Sequence, residues 1–229
     1  MTVYRHGVTV ARNIANVAER VRVSLPVFFI LLSINITIAK EVEVAPERID
    51  TIGGSLGDID CRLKSFNNYD WKNYRDDDKV TWAHEGTHGV NARIKIENNM
   101  AYGFYLLNGK GVALSNPGFT LRDLAKKIPQ EKRGKLYKLY INDAQKWWNE
   151  KPLYCVDELS AYVNGCIVGI ETGMLNRAKY SLDNAKEMYI YAEIAYNMCS
   201  DTYIDKVNFR NLLDILKNRI ELSEKKLKK

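Results

Sequence analysis

Two histidines four residues apart, the first followed directly by a glutamate, constrain this chain more than anything else in it: His84-Glu85-Gly86-Thr87-His88. An α-helix turns once in about 3.6 residues, so side chains at i and i+4 stack on one face. The segment therefore asks for a helix that presents both imidazoles to one point, where they can hold a single metal ion. Glu85 falls about 100° round that helix, beside the ion and not under it, where it can take a proton from a water. Asp76, Asp77 and Asp78 offer N-capping, and Val80, Ala83, Val90 and Ile94 recur at helical intervals. Gly86 and Gly89 each cost about 1 kcal/mol of helix propensity against Ala, which predicts that another backbone or a substrate passes close by. The alternative is a helix carrying two buried, hydrogen-bonded histidines and a surface glutamate.

A catalytic zinc has three protein ligands and one open position, so a third ligand is required. The remaining histidine, His6, lies in an N-terminal segment with no role in the site. The extended H-E-x-x-H-x-x-G-x-x-H pattern fails, because Asn91 stands in place of its Gly and Ile94 in place of its third His. A carboxylate on a second helix must complete the set. Segment 152–165, which opens Pro152-Leu153-Tyr154-Cys155-Val156-Asp157-Glu158, supplies the best one in Glu158. Pro152 suits a first helical turn, Ala161 leaves room for a facing helix, and Tyr162 falls one turn after Glu158. Asp157, Glu171 and Glu97 are rivals for the ligand role, and a solvated carboxylate at a helix start is the alternative for Glu158.

The HEGTH segment together with the later Asp157-Glu158-Leu159-Ser160-Ala161-Tyr162 run resembles the gluzincin branch of zinc metallopeptidases. Within it, the second run is loosely similar to the lethal factor type of bacterial zinc endopeptidase. The similarity covers two short segments, separated by 70 residues between His88 and Glu158. It implies a zinc-dependent peptide hydrolase with His84, His88 and Glu158 as ligands and Glu85 as general base, acting on a peptide or protein substrate.

Residues 25–39 form a run of 15 without a charge, preceded by Arg20 and Arg22 and followed by Lys40. This reads as a secretory signal peptide, with residues 40–229 as a single secreted or periplasmic domain. The run is shorter than the roughly 20 residues of a bilayer span, so an N-terminal membrane anchor is the second reading. Four cysteines, Cys61, Cys155, Cys166 and Cys199, follow it, an even number that favours disulfides in an exported chain. Cys155 and Cys166 share one predicted helix, about 16 Å apart along it, so each would pair elsewhere. Buried reduced thiols are the alternative.

The net charge is +6, and the first 39 residues hold four arginines and one glutamate, so the rest carries +3. Surplus lysine collects in the tail, 222–229, as a solvated helix end with no nucleic-acid recognition motif beside it. About 190 residues make one domain with a sizeable core.

The patterning predicts an α+β, helix-rich fold with a small sheet or hairpin, and the resemblance implies that it is zincin-like, with the active-site helix facing a second ligand-bearing helix. Segments 41–45 and 59–66 alternate as strands do, and 100–107, 108–111 and 112–115 read as a hairpin. Its edge could receive an extended peptide. Thr120 with Asp123 marks a capping box, and further helices span 130–149, 153–172, 182–199 and 203–227. Trp147 and Trp148 read as core and rim packing. Tyr162 is the candidate oxyanion donor, with Tyr102 and Tyr105 competing. An exported zinc-binding protein, or an inactive relative serving as a binding module, is the second functional class; the presence of Glu85 favours the enzyme, since a structural zinc has no use for a base. Oligomeric state is left open.

Overall fold

The computed structural model describes residues 40–63 and 78–228. His6, the charge-free run 25–39, Asp76, Asp77 and the end of the 59–66 segment lie outside the described residues.

The elements follow in the order β1 (Lys40–Glu43), α1 (Gly54–Asp60), α2 (Lys79–Glu97), β2 (Tyr102–Tyr105) and β3 (Lys110–Leu114). Then come α3 (Leu121–Lys127), α4 (Gln145–Trp148), α5 (Tyr154–Glu171), α6 (Leu175–Met198) and α7 (Lys206–Leu227). The architecture is α+β and helix-rich, with one small antiparallel sheet in the order β1-β3-β2. Of the three strands β2 is an edge, paired only with β3, in the register Tyr102 to Leu114 and Phe104 to Val112. The hairpin between β2 and β3 turns through Leu107, Asn108 and Gly109, all at positive φ; Asn108 and Gly109 favour that backbone, whereas Lys110 and Gly111, read as part of the turn, belong to β3.

Helix α2 starts where the sequence predicts, with the Asp78 carboxylate accepting from the Thr81 amide at 3.1 Å. It lies between α5 on one side and β2 on the other. Gly103 in β2 permits that approach, because a Cβ there would meet the Asn91 carbonyl oxygen at 2.5 Å and Ile94 at 2.6 Å. At Gly86 the close neighbour is the side chain of Ile59 on α1, 2.8 Å from where a Cβ would stand. It is neither the second backbone nor the substrate that the sequence suggests.

Helix α5 is apolar almost all round and buried along nearly its whole length, packed by α2, α6 and α7. Two clusters of buried side chains result: a larger one among α3, α5, α6 and α7, and a smaller one where α1 and α2 meet the sheet. Full burial of each large side chain, such as Phe104, Tyr191 or Phe209, is worth about 1.5–3 kcal/mol.

Three expectations are corrected. Over its described residues, 59–63, the second strand placed at 59–66 is instead the end of α1 followed by a turn; Ile59 and Leu63 are four residues apart, so their joint burial fits helical spacing as well as strand alternation. The strand completing the sheet is β1, which overlaps the predicted 41–45 segment but begins at Lys40 and ends at Glu43. The long helix placed at 130–149 is broken into a 3-10 turn (Gln130–Lys132), a π-helical stretch (Tyr137–Asp143) and the short α4. Side chains of α6 divert its backbone donors: Gly134 donates to the Tyr191 hydroxyl at 3.0 Å and Leu136 to the Glu187 carboxylate at 2.8 Å. The helix placed at 182–199 begins earlier, at Leu175. The capping box forms as read, Thr120 and Asp123 bonding each other's backbone.

The bridges expected from four cysteines do not form: all four are free and buried. Cys155, Cys166 and Cys199 belong to the helical core, while Cys61 sits just past α1. Burial pushes their thiols up, to about 12 for Cys155 and about 11 for Cys166 and Cys199. They pack as small apolar groups.

Candidate metal centre

Helix α2 and helix α5 bring His84, His88 and Glu158 together, with one donor atom from each lying within 4.8 Å of the others. The two imidazole Nε2 atoms face each other at 3.2 Å. Glu158 reaches across from α5, its Oε2 at 3.4 Å from His84 Nε2 and its Oε1 at 3.7 Å from His88 Nε2. Glu158 is only 3% exposed, yet its Oε2 makes no hydrogen bond. A buried carboxylate is costly unless it is paired or coordinates a metal. This buried group could hold a metal ion.

Behind the three stands a polar network. Asp157, weighed from sequence as a rival ligand, accepts from His88 Nδ1 at 2.7 Å. That bond turns Nε2 of the same ring toward Glu158 and leaves it free of its proton when the ring is neutral. Asn91 holds Asp157 in turn: its Nδ2 donates to Asp157 Oδ1 at 2.6 Å and to Ser160 Oγ at 2.9 Å, and its Oδ1 accepts from the Tyr105 amide at 2.6 Å. Asn164 donates to Thr87 Oγ1 at 3.2 Å and to the Tyr105 carbonyl at 3.1 Å. These bonds tie α2, α5 and β2 into one unit around the site. In sequence, Asn91 registers only as the residue that breaks the three-histidine pattern. Its position three residues after His88 and seven after His84 is the signal that it shares their face.

The electrostatics follow from this layout. Burial alone would push the His88 imidazolium down, but the charge and hydrogen bond of Asp157, with Glu158 and Glu85, outweigh it and hold its pKa at about 9. Burial would raise Asp157, yet His88 and the Asn91 amide hold it below the ordinary value.

The site opens onto a cleft of about 560 Å³, walled by α2, β2, α5 and the segment between α3 and α5. Glu85 lies on its wall, half-buried. Tyr162 is not among the lining residues. It is buried, with its ring 4.4 Å from that of His84 and its hydroxyl bonded at 2.9 Å to that of Tyr140. Tyr140, placed by the π-helical stretch, does line the cleft, together with Tyr102 and Tyr154. Burial, then the charge of Glu158, raises the phenols of Tyr140 and Tyr154, keeping both protonated. Tyr105 faces away, donating to Asp58 at 2.5 Å. Trp148, read as packing, lines the cleft and stacks on Tyr154 with ring centroids 5.7 Å apart, whereas Trp147 is 72% exposed. Of the rival carboxylates, Glu171 bonds the start of α1 at Ser55, and Glu97 pairs with Arg93 on its own helix.

No protein-family model, characterised protein or solved structure matches this chain.

Proposed function

We propose that this protein is a zinc-dependent peptidase of the gluzincin kind, in which His84, His88 and Glu158 hold the metal and Glu85 is the general base. The observation that carries the reading is a half-buried pair of imidazoles and one buried carboxylate opening onto a cleft with a second carboxylate on its wall. The donors fit zinc. Ligands about 2.0–2.2 Å from one ion and spread tetrahedrally stand about 3.3–3.6 Å apart; here the two imidazole Nε2 atoms stand 3.2 Å apart, Glu158 Oε2 is 3.4 Å from His84 Nε2 and Glu158 Oε1 is 3.7 Å from His88 Nε2, with one donor atom from each residue within 4.8 Å of the others. Imidazole donors favour zinc over the all-oxygen cations calcium and magnesium. The orphaned Oε2 of Glu158 gains a partner in such an arrangement.

Bound there, zinc would polarise a peptide carbonyl and acidify a water. The protein's own groups supply the rest. Glu85 accepts the proton of the attacking water and passes it to the departing amine. Asp157 keeps His88 in the ligating tautomer, with Asn91 fixing Asp157. Tyr140, held by Tyr162, is the cleft-facing hydroxyl for the developing oxyanion, so Tyr162 positions a donor and does not meet the substrate itself.

Edge strand β2 supports an extended substrate. Because Leu106 bonds β3 through the Lys110 carbonyl, the alternation along the strand turns Tyr102 and Phe104 toward β3 and Gly103 and Tyr105 outward. Asn91 and Asn164 occupy the outward groups of Tyr105. Gly103 is left facing the cleft, where a peptide can add as a strand. The charge-free run 25–39 supports export through a signal peptide; no helix among the described residues is long and apolar enough to cross a membrane.

The test is zinc content of the purified protein together with cleavage of a random peptide library by wild type and Glu85→Gln. One zinc per chain, with cleavage lost on substitution, is expected. Zinc without any cleavage by wild type would sink the peptidase reading in favour of a binding module, and absence of zinc would sink the ligand assignment.

A further inference from the structure

Two lysines line the cleft away from the metal ligands. Lys95 is seven residues beyond His88 on α2, about 10 Å further along the helix, and it lines the same cleft. Lys151, in the turn leading into α5, lines it too, its Nζ 3.9 Å from the centre of the Trp148 ring. The Lys151 amide donates to the Trp148 carbonyl at 2.8 Å, which fixes the turn. Both side chains are half-buried, and among the described residues neither forms an ion pair. Nearby carboxylates are engaged elsewhere: Glu150 accepts from Asn149 and Glu97 from Arg93. The ammonium of Lys151 is pushed down by burial and then by the charge of Lys95, against the pull of Asp157, so the two cations feel each other. Holding like charges together in a half-dry cleft is unfavourable, and an anion between them relieves it. Small residues, Ala92, Ala101 and Gly103, also line the cleft.

We propose that Lys95 and Lys151 form a carboxylate-binding subsite, so that the cleft selects peptides with an acidic group two or three residues from the bond that is cut. The spacing follows from the distance: an extended chain advances about 3.3 Å per residue, so about 10 Å spans three. The proposal rests on the peptidase reading for the meaning of the cut bond. The carboxylate can come from an Asp or Glu side chain or from a free C-terminus, and the two sources are separable by experiment.

The zinc-loaded wild type is given random decapeptides with amidated C-termini, and cleavage sites are read by mass spectrometry. Asp and Glu should be enriched two or three residues from the cut, and Lys95→Glu/Lys151→Glu should exchange that preference for Lys and Arg. The same library with free C-termini shows the other source: cuts concentrated two or three residues from the end, dependent on the free acid. Binding is measured separately, by calorimetry on Glu85→Gln with acetyl-Ala-Ala-Glu-Ala-Ala-amide and its Gln counterpart. The Glu peptide should bind about tenfold tighter, from two partly exposed ion pairs, and the difference should vanish in Lys95→Gln/Lys151→Gln. Among the described residues neither lysine side chain forms a hydrogen bond, so the substitutions should leave the fold intact, and thermal melts of the variants verify this. Cleavage without any acidic preference in either library overturns the subsite while leaving the peptidase intact. Preferred binding of the Glu peptide with no cleavage leaves the subsite standing and removes the peptidase. Equal binding of the Glu and Gln peptides overturns the proposal.

Discussion

Replacing Asp157 by Asn probes whether the network behind the ligands sets metal affinity. The carboxylate has two donors to satisfy, His88 Nδ1 at 2.7 Å and Asn91 Nδ2 at 2.6 Å. An amide of the same shape has one oxygen and must fail one of them. If its oxygen faces Asn91, its NH2 faces His88 Nδ1 and forces the proton onto Nε2, the atom proposed to bind metal. If its oxygen faces His88, two NH2 groups meet beside Ser160, and a buried unsatisfied donor costs about 1–3 kcal/mol. Either way zinc affinity should fall by about 10–100-fold, or about 1.4–2.7 kcal/mol. Competition against a chromophoric chelator at fixed pH measures it directly. The double variant Asp157→Asn/Asn91→Asp moves the acceptor to the other partner, and Ser160 can then donate to residue 91, so part of the loss should return. Unchanged zinc affinity in Asp157→Asn, or a double variant weaker than the product of the two single effects, would refute this account of how His88 is oriented.

Other outcomes follow from the same geometry. In chelated protein, His88 sits at about 9 and Asp157 below its ordinary 3.8. The raised histidine stabilises fully below its unfolded value near 6.5 and loses that contribution as pH rises through about 9. The lowered aspartate stabilises above 3.8 and loses its contribution as pH falls through its folded value. Urea melts of chelated wild type should therefore exceed those of Asp157→Asn most between about pH 4 and 6.5, with the gap closing toward pH 9; a gap that widens with pH contradicts the pairing. Gly103→Ala drives a methyl into the Asn91 carbonyl at 2.5 Å and should destabilise by about 1–3 kcal/mol in denaturant titrations, whereas a neutral effect would show that α2 and β2 are not clamped together. Tyr140→Phe should lower kcat by about 10²-fold or more with zinc still bound, and Tyr162→Phe by less. The reverse order would return the donor role to Tyr162.

The spacing His84-Glu85-Gly86-Thr87-His88 was sufficient to predict a helix, two donors and a wall carboxylate, because i to i+4 geometry is local and any helix obeys it. Asp78 as cap and the Thr120–Asp123 box were legible for the same reason. Glu158 was legible only as the best acidic residue on a second helix; that it meets the histidines depends on α2 and α5 packing face to face. Residues 59–63 and segment 130–149 depart from the sequence reading where short-range patterns are ambiguous or where distant side chains, Glu187 and Tyr191, take the backbone donors. The hydrogen bond from His88 to Asp157 joins residues 69 apart in the chain, and no local periodicity encodes such a pair. Sequence alone thus determined which atoms could bind a metal. Tertiary packing decided which carboxylate faces them, which tyrosine hydroxyl reaches the cleft, and that two lysines with no ion pair among the described residues stand along it, since each of these depends on the relative placement of separate elements.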